Sequence, residues 1–344
     1  MYNLENLLPE DLEIIKKLID DLLPKISSQK ITNQKYQIKN KEIRCVRCNS
    51  EYCIKNGHKN GTQRYKCKEC NCFFSITTNT ILSHSTLSYE KLIKFIECLI
   101  NCYSIEKTSF ETELSKSEVY KIRLKILNIL SNYYDDTILS GVIQVDEKYI
   151  RISFKGTRAN KMPRDSRRNG YQDRTSGISK EQVCVIVAID SNDNIIIKVA
   201  GNGPATTEML ENTLKNKVKE NSILITDSKS SYIKFAKCNS LILKQIPHNK
   251  HIVDSIYHLG ELNSLMSEME IFIQNFRGLS TRHLQQYLDL FRFRKILKYT
   301  VEYMKQKNTA YKFSIIQNST LKNADIHKTA MPVNVKDIYN KDFV

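Results

Sequence analysis

Six of the ten cysteines in this 344-residue chain fall between Cys45 and Cys72. Four of them form two pairs, Cys45-x2-Cys48 and Cys67-x2-Cys70, with 18 residues between the pairs. Thiolates at this spacing close as two knuckles on one tetrahedral Zn2+. With all four positions filled by protein, such a zinc is structural and leaves no open position for water. Cys53 and Cys72 are then spare thiols, read as small core residues. Asn60-Gly61 between the pairs is a hairpin turn pair, so the knuckles are expected to approach through a β-hairpin. Lys55, Lys59, Arg64, Lys66 and Lys68 would make the ribbon a phosphate-contacting knob.

A second chemistry is suggested by carboxylates in β-rich runs. Asp146 lies inside GVIQVDEKYI and Asp227 ends SILITD. Acidic residues are disfavoured within strands, and one at a strand's carboxyl end commonly faces a site. Two such aspartates on neighbouring strands would share Mg2+, a hard cation that takes oxygen ligands and serves phosphoryl transfer. The alternative is that each caps a turn. Asp190, in VAIDSNDN, is read that way, because Asn192-Asp193-Asn194 supplies turn chemistry. Strand alternation points Glu147 to the face opposite Asp146, which makes it a second-line candidate. Residues 155–180 carry eight Lys or Arg against two Asp. This loop cannot build a core, and it follows the Asp146 strand, where Arg158, Arg164, Arg167 and Arg168 would meet nucleic-acid phosphate. A solvated loop is the other reading.

The elements that position these groups follow from periodicity. Leu12, Ile15, Leu18, Ile19 and Leu22 mark an amphipathic helix over 10–23, and 27–41 reads as a polar linker. A helical region begins at Leu87, with Ser88 as a candidate N-cap. Within it, 104–130 reads as two helices about a turn, with Lys121, Arg123 and Lys125 on the second. The alternative is an ordinary helical linker domain, since the usual turn glycine is replaced by Leu114-Ser115. After Asp136 come strands at 141–152, 183–190, 194–200 and 222–227, with a helix over 206–219. Such an order indicates an α/β layer domain, one face of whose sheet is covered by the helical run 259–298. From about Lys307 the chain is polar and without pattern. Expected domains are 1–42, 43–78 (ribbon), 79–135 (helical, DNA-binding), 136–306 (catalytic) and a tail over 307–344.

Charge sharpens the choice of partner. Lys plus Arg number 53 and Asp plus Glu 37, a net +16 with a pI near 9.2. That balance favours a polyanion such as nucleic acid. No run approaches about 18 apolar residues, and the start lacks a basic leader and cleavage site, so no membrane is expected. A cytoplasmic, reducing compartment would keep the clustered cysteines for metal rather than disulfides.

Several stretches together resemble the zinc-ribbon insertion-sequence transposases of the ISXO-like, Merlin-related group. They are CVRC and CKEC, TNTIL (78–82), VDEKYI (145–150), FKGTR and MPR (154–164), GISKEQVCV (177–185), ITDSKSSYIKFAK (225–237) and LNSLMS through FRGLSTRHLQQYL (262–288), over about 43–295. The resemblance implies a ribonuclease H-like mixed-sheet catalytic domain behind a zinc ribbon and a helix-turn-helix, in a multidomain α/β chain. It also implies a catalytic set of Asp146, Asp227 and Asn263 with Mg2+. The expected partner is double-stranded DNA, both terminal inverted repeats and target, with a homo-oligomer at synapsis and the nucleoid as the place of action. Two positions depart from the family pattern: Met266 stands where His is expected and Glu270 where Lys is expected. A catalytically degenerate DNA-binding protein and a ribonuclease H-like nuclease are the rival readings.

Overall fold

The structure is a computed structural model, and it describes residues 43–59, 62–75, 78, 87, 89–133, 137–158, 161–165, 177–247, 252–254, 256–276, 278–306, 326 and 329–339. The helix expected at 10–23, the linker after it, Asn60-Gly61, Ser88, Arg167 and Arg168 lie outside them. The chain divides into two compact units. One takes in the described residues of Met1–Ile129 and Lys295–Asn323, the other those of Leu130–Arg294 and Ala324–Val344.

In the first unit, β1 (Cys53–Lys59), β2 (Thr62–Cys67) and β3 (Phe73–Ser75) form an antiparallel sheet in that order. Cys53 pairs with Cys67 at one end of the β1–β2 ladder and Lys59 with Thr62 at the other. Each cysteine pair is followed by an asparagine of positive φ, Asn49 (59°) and Asn71 (55°). Asparagine tolerates the left-handed region better than most residues, and the repeated Cys-x2-Cys-Asn places it where each knuckle must reverse. Cys45, Cys67 and Phe74 form a small buried core, with Cys53, Tyr65 and Cys72 packed around it.

The helical part of this unit contains α1 (Tyr89–Ile100) and α2 (Ile105–Thr112) and begins α3 (Lys116–Tyr133). Ser104 caps α2, its Oγ accepting from the Lys107 N–H at 3.1 Å. Glu113 stops the helix in the left-handed conformation (φ 56°), so an ordinary residue takes the place of the missing turn glycine. Ser115 and Glu118 then start α3 with a reciprocal capping box: Ser115 Oγ accepts from the Glu118 N–H at 3.2 Å, and Glu118 Oε2 accepts from the Ser115 N–H at 3.0 Å.

The second unit is built on a five-stranded mixed sheet ordered β6-β5-β4-β7-β8. Its strands are β4 (Val142–Arg151), β5 (Gln182–Asp190), β6 (Ile195–Asn202), β7 (Ile223–Asp227) and β8 (Ile242–Ile246). The first three pair antiparallel, whereas β4–β7 and β7–β8 are parallel. β5 has the unbroken apolar run VCVIVAI and is buried on both faces. The first two of its helices, α4 (Thr207–Leu214) and α5 (Ser230–Cys238), lie on one face, where Leu210, Leu214, Tyr232 and Phe235 pack with Ile143, Val145, Ile186 and Ala188. The helical run expected over 259–298 is two helices, α6 (Gly260–Asn275) and α7 (Leu284–Gln306). Gly278, at φ 92°, breaks the run in a conformation that side chains rarely adopt. α6 crosses β4: Gln144 Oε1 accepts from the Leu262 N–H at 3.1 Å, and Lys148 pairs with Glu270 at 2.7 Å. α7 is tied to β6 by Gln285, whose side chain meets the Val199 N–H and the Ile197 carbonyl.

Two features differ from expectation. β8 and α5 follow Asp227 where no element was assigned. Part of the supposed tail packs onto the second unit: Ile326, Val333 and Val335 are buried, and Tyr339, in the short α8 (Lys336–Tyr339), sits edge-on to Phe154 at 5.7 Å. Apolar residues two to seven apart in a polar stretch make too weak a period to show this from sequence.

Candidate active site and cysteine centre

The parallel ladder between β4 and β7 runs from Val142/Ile223 to Gln144/Ile225 and stops there. Continued by two residues, the same register sets Asp146 beside Asp227. Both carboxylates therefore stand where the paired strands part, at the carboxyl end of β7. Glu147 does point to the face opposite Asp146, as alternation requires, and its Oε1 accepts from the Tyr232 hydroxyl at 2.9 Å in the α5 core. Through the opened ladder it still reaches the same centre. Oxygens of Asp146, Glu147 and Asp227 all lie within 4.8 Å of one another, a grouping able to hold a metal ion.

An ammonium already sits among them. Lys229 Nζ is 2.9 Å from Asp227 Oδ2 and 3.7 Å from Asp146 Oδ1, and it pairs closely with Glu147 Oε2. Glu147's side chain is wholly buried, so its charge depends on this partner and on Tyr232. Burial pushes the Asp146 carboxyl up to about 6, an effect that Glu147 and Asp227 add to and that the Glu147 N–H and Lys229 oppose. Although burial disfavours the charged Lys229, its bonds to Glu147 and Asp227 raise it well above the usual lysine range. The cluster thus behaves as a cation site, with Lys229 in the position of the cation.

Neither Glu147 nor Lys229 was singled out from sequence as a principal site residue, yet each left a signal. Adjacent acids inside a strand cannot both face water when both sheet faces are covered. Lys229 occupies the N-cap of α5 without a side-chain capping bond. A cation is unfavourable at a helix N-terminus unless acids hold it there.

The other expected residues fall in different places. Asp190 is a turn residue: its carboxylate accepts from the Asn192 and Asn194 amides, both at 2.9 Å, and from the Ser140 N–H at 3.0 Å. Asn263 is exposed on the second turn of α6. Arg158 is exposed, whereas Arg164 is partly buried, stacked on Phe154 at 5.4 Å and bonded to the Asp165 carbonyl at 2.9 Å. Arg123 must be corrected. It is buried on the Val119-Arg123-Leu127 stripe of α3 and donates to the Tyr103 carbonyl at 2.8 Å and Thr108 Oγ1 at 3.0 Å. Its guanidinium is bonded inside the helical core, so it does not face outward. Lys121 and Lys125 lie off that stripe and are partly exposed. Burial, followed by the Lys121 charge, holds Lys125 below the ordinary lysine range.

The cysteine centre is closed by comparison. Cys45 and Cys70 sulfurs are 3.4 Å apart, those of Cys48 and Cys67 3.6 Å, and all four lie within 4.8 Å of one another. Sulfurs about 2.3 Å from one tetrahedral zinc would stand about 3.8 Å apart, close to what is seen. Burial resists ionisation of Cys45, but the Cys48 and Arg47 amides and the neighbouring thiols bring it down to about 6. Cys48 moves the other way: the Ser50 amide pulls it down, and desolvation and the other three thiols push it up. Four thiols so placed cannot all ionise without a cation between them.

Residues 138–295 match the family model for the ISXO2-like transposase domain. Over that span the chain is similar to ISXO2-like transposase domains. Its matched span contains Asp146, Glu147, Asp227, Lys229 and Asn263, and the cysteine centre lies before it. Over 273 residues the chain is 24% identical to a protein described as an uncharacterized protein in transposable element ISH50, from Halobacterium salinarum. That alignment covers 78% of this chain and 91% of the relative. A pre-cleavage Mos1 transpososome aligns over 60% of this chain and 74% of its own, at 15% identity and a TM-score of 0.26. The Mos1 transposase paired-end complex with the left transposon end gives the same coverage, 13% identity and a TM-score of 0.24. Likeness this slight carries no weight for fold or function. No helix among the described residues is long and apolar enough to cross a membrane.

Proposed function

We propose that the chain is a DNA transposase that binds the ends of its element and performs metal-dependent DNA cleavage and strand transfer. The observation that carries this is the meeting of Asp146, Glu147 and Asp227 where β4 and β7 part, inside the transposase domain. A Mg2+ held by these carboxylates would supply Lewis-acid stabilisation of the reacting phosphoryl oxygens and a nucleophilic oxygen at neutral pH. The protein's own part is to fix the hard oxygen donors and to bring the phosphodiester to them. Water attacks at the element end, and the freed 3'-hydroxyl then attacks target DNA in line, with no covalent enzyme intermediate.

Asn263 is proposed as a further ligand beside Asp146 and Asp227. α6 runs along β4 from Gln144, bonded to Glu261 and Leu262, to Lys148, bonded to Glu270. Asp146 is midway between those two anchors on the same strand face, and Asn263 is one residue beyond the first. A neutral amide oxygen contributes less than a carboxylate, so affinity rests on the acids. Glu270, in place of the expected lysine, is neutralised by Lys148. Met266 is buried rather than offered to a substrate.

The four cysteines would hold structural Zn2+, whose soft thiolate set suits it. The fold of the second unit is proposed as ribonuclease H-like, and the turn between α2 and α3 as that of a helix-turn-helix. Double-stranded DNA, both terminal inverted repeats and target, would meet Lys121 and Lys125 of α3 and the loop bearing Arg158, Arg164, Arg167 and Arg168. A homo-oligomer is proposed for synapsis, acting on the nucleoid in the cytoplasm. Met266 favours a second reading, a degenerate copy that binds DNA without cutting it.

The test is cleavage and joining of labelled DNA from the gene's own flanks with Mg2+ or Mn2+. Joined product from the wild type that is lost in both Asp146→Ala and Asp227→Ala is the expected result. Binding without cleavage by the folded wild type would replace the proposal with the second reading, and cleavage without joining would indicate a nuclease.

A further inference from the structure

We propose that the Lys229 ammonium is the resident counter-ion of the carboxylate centre, and that a divalent cation enters by displacing it, so that Lys229 sets the threshold for metal binding. This rests on the reading of the centre as a metal site. One ammonium contacts all three acids, at 2.9 Å to Asp227 and 3.7 Å to Asp146, with a close pair to Glu147. A single positive charge thus occupies the middle of a donor set whose oxygens lie within 4.8 Å of one another. A metal ion ligated by the same oxygens cannot share that position with Nζ.

The rest of Lys229 is built for exchange. Its backbone is fixed: the N–H donates to Asp227 Oδ1 at 3.3 Å and the carbonyl accepts from Gln245 Nε2 at 3.0 Å. Its side chain is 35% exposed, so the four-carbon stem can swing the ammonium into water while the chain stays in place. Glu147 differs, being held by Tyr232 and having no exposed surface. The acids stay and the cation moves. A competitor seated for about nine-tenths of the time weakens apparent metal affinity about tenfold, because only the open fraction binds.

The experiment measures Mn2+ binding to the full chain, with the zinc centre filled, by counting free Mn2+ with electron paramagnetic resonance. Wild type is compared with Lys229→Met and with Asp146→Asn/Asp227→Asn. The expected result is about tenfold tighter binding in Lys229→Met and loss of binding in the double aspartate variant. Equal or weaker binding in folded Lys229→Met, with binding still lost in the aspartate variant, would overturn the proposal and leave the metal site standing. No Mn2+ bound by wild type or Lys229→Met would remove the metal reading and the proposal with it. Lys229→Met leaves a buried Glu147 without its cation and is at risk of misfolding, so a second measurement uses wild type alone. Reductive methylation read by peptide mass spectrometry should find Lys229 more reactive when Mg2+ is added, and unchanged or lower reactivity would overturn the proposal.

Discussion

The two centres of this molecule answer the same electrostatic problem in opposite ways. In the ribbon, four thiols from two local knuckles surround one point and fill every position around it. In the second unit, three carboxylates from two strands meet where a ladder opens, and a movable lysine completes the set. A closed set of soft donors is suited to holding a fold, and an open set of hard donors to admitting a substrate. Donor softness, and whether every position around the ion is filled, therefore separate a structural role from a chemical one.

The largest expected effect is on the closed centre. Cys67→Ser, or zinc removal by a strong chelator, should unfold residues 43–75, since structural zinc contributes on the order of 10 kcal/mol to folding. Zinc stoichiometry and limited proteolysis would show this, with Mn2+ binding in the other unit kept. Next comes the open centre: Asp146→Ala or Asp227→Ala should lower cleavage by about a thousandfold with the fold retained, which circular dichroism and cleavage rates would check. If either aspartate variant unfolded the protein as the cysteine variant does, the contrast between the centres would fail.

A smaller effect separates the two kinds of cation on α3. Arg123→Met should cost about 1–3 kcal/mol by leaving the Tyr103 carbonyl and Thr108 unsatisfied, seen as a lower melting temperature. Lys121→Ala and Lys125→Ala should leave melting almost unchanged, while each reduces the salt slope of DNA binding by about 1. A further effect is in pH. Asp146, raised to about 6, keeps its proton in the folded protein over a window, from about 4 to 6, in which the unfolded chain has lost it. Its contribution to stability is therefore greatest at low pH and falls as pH rises through 6, whereas Mn2+ affinity should weaken as pH falls below about 6. A titration of Mn2+ affinity between pH 5 and 8, flat throughout, would contradict the burial of that carboxylate.

The contrast also explains what was legible. The cysteine ligands all lie between residues 45 and 70, and local spacing is sufficient to group them. Asp146 and Asp227 are 81 positions apart, and no periodicity shows that β4 and β7 are neighbours or where their ladder parts. The four strands of strongest apolar pattern were legible, because β-branched runs between turn residues have few other readings. β8, with LILKQI, was not, since so short a mixed run fits strand or helix. Arg123 was misplaced because its charge was weighed and its position four residues from both Val119 and Leu127 was not. Lys229 was missed because its role is fixed by contact with Glu147 across 82 positions.

If the carboxylate centre does the chemistry and the rest of the chain brings the DNA, binding and cutting separate by mutation. The most direct test compares wild type with Asp146→Ala/Asp227→Ala, both zinc-loaded, on one labelled element-end fragment in Mg2+, scoring bound, cut and joined DNA on parallel gels. Equal binding by both proteins is expected, with cut and joined strands from wild type alone. Cut strands from the double variant would contradict it.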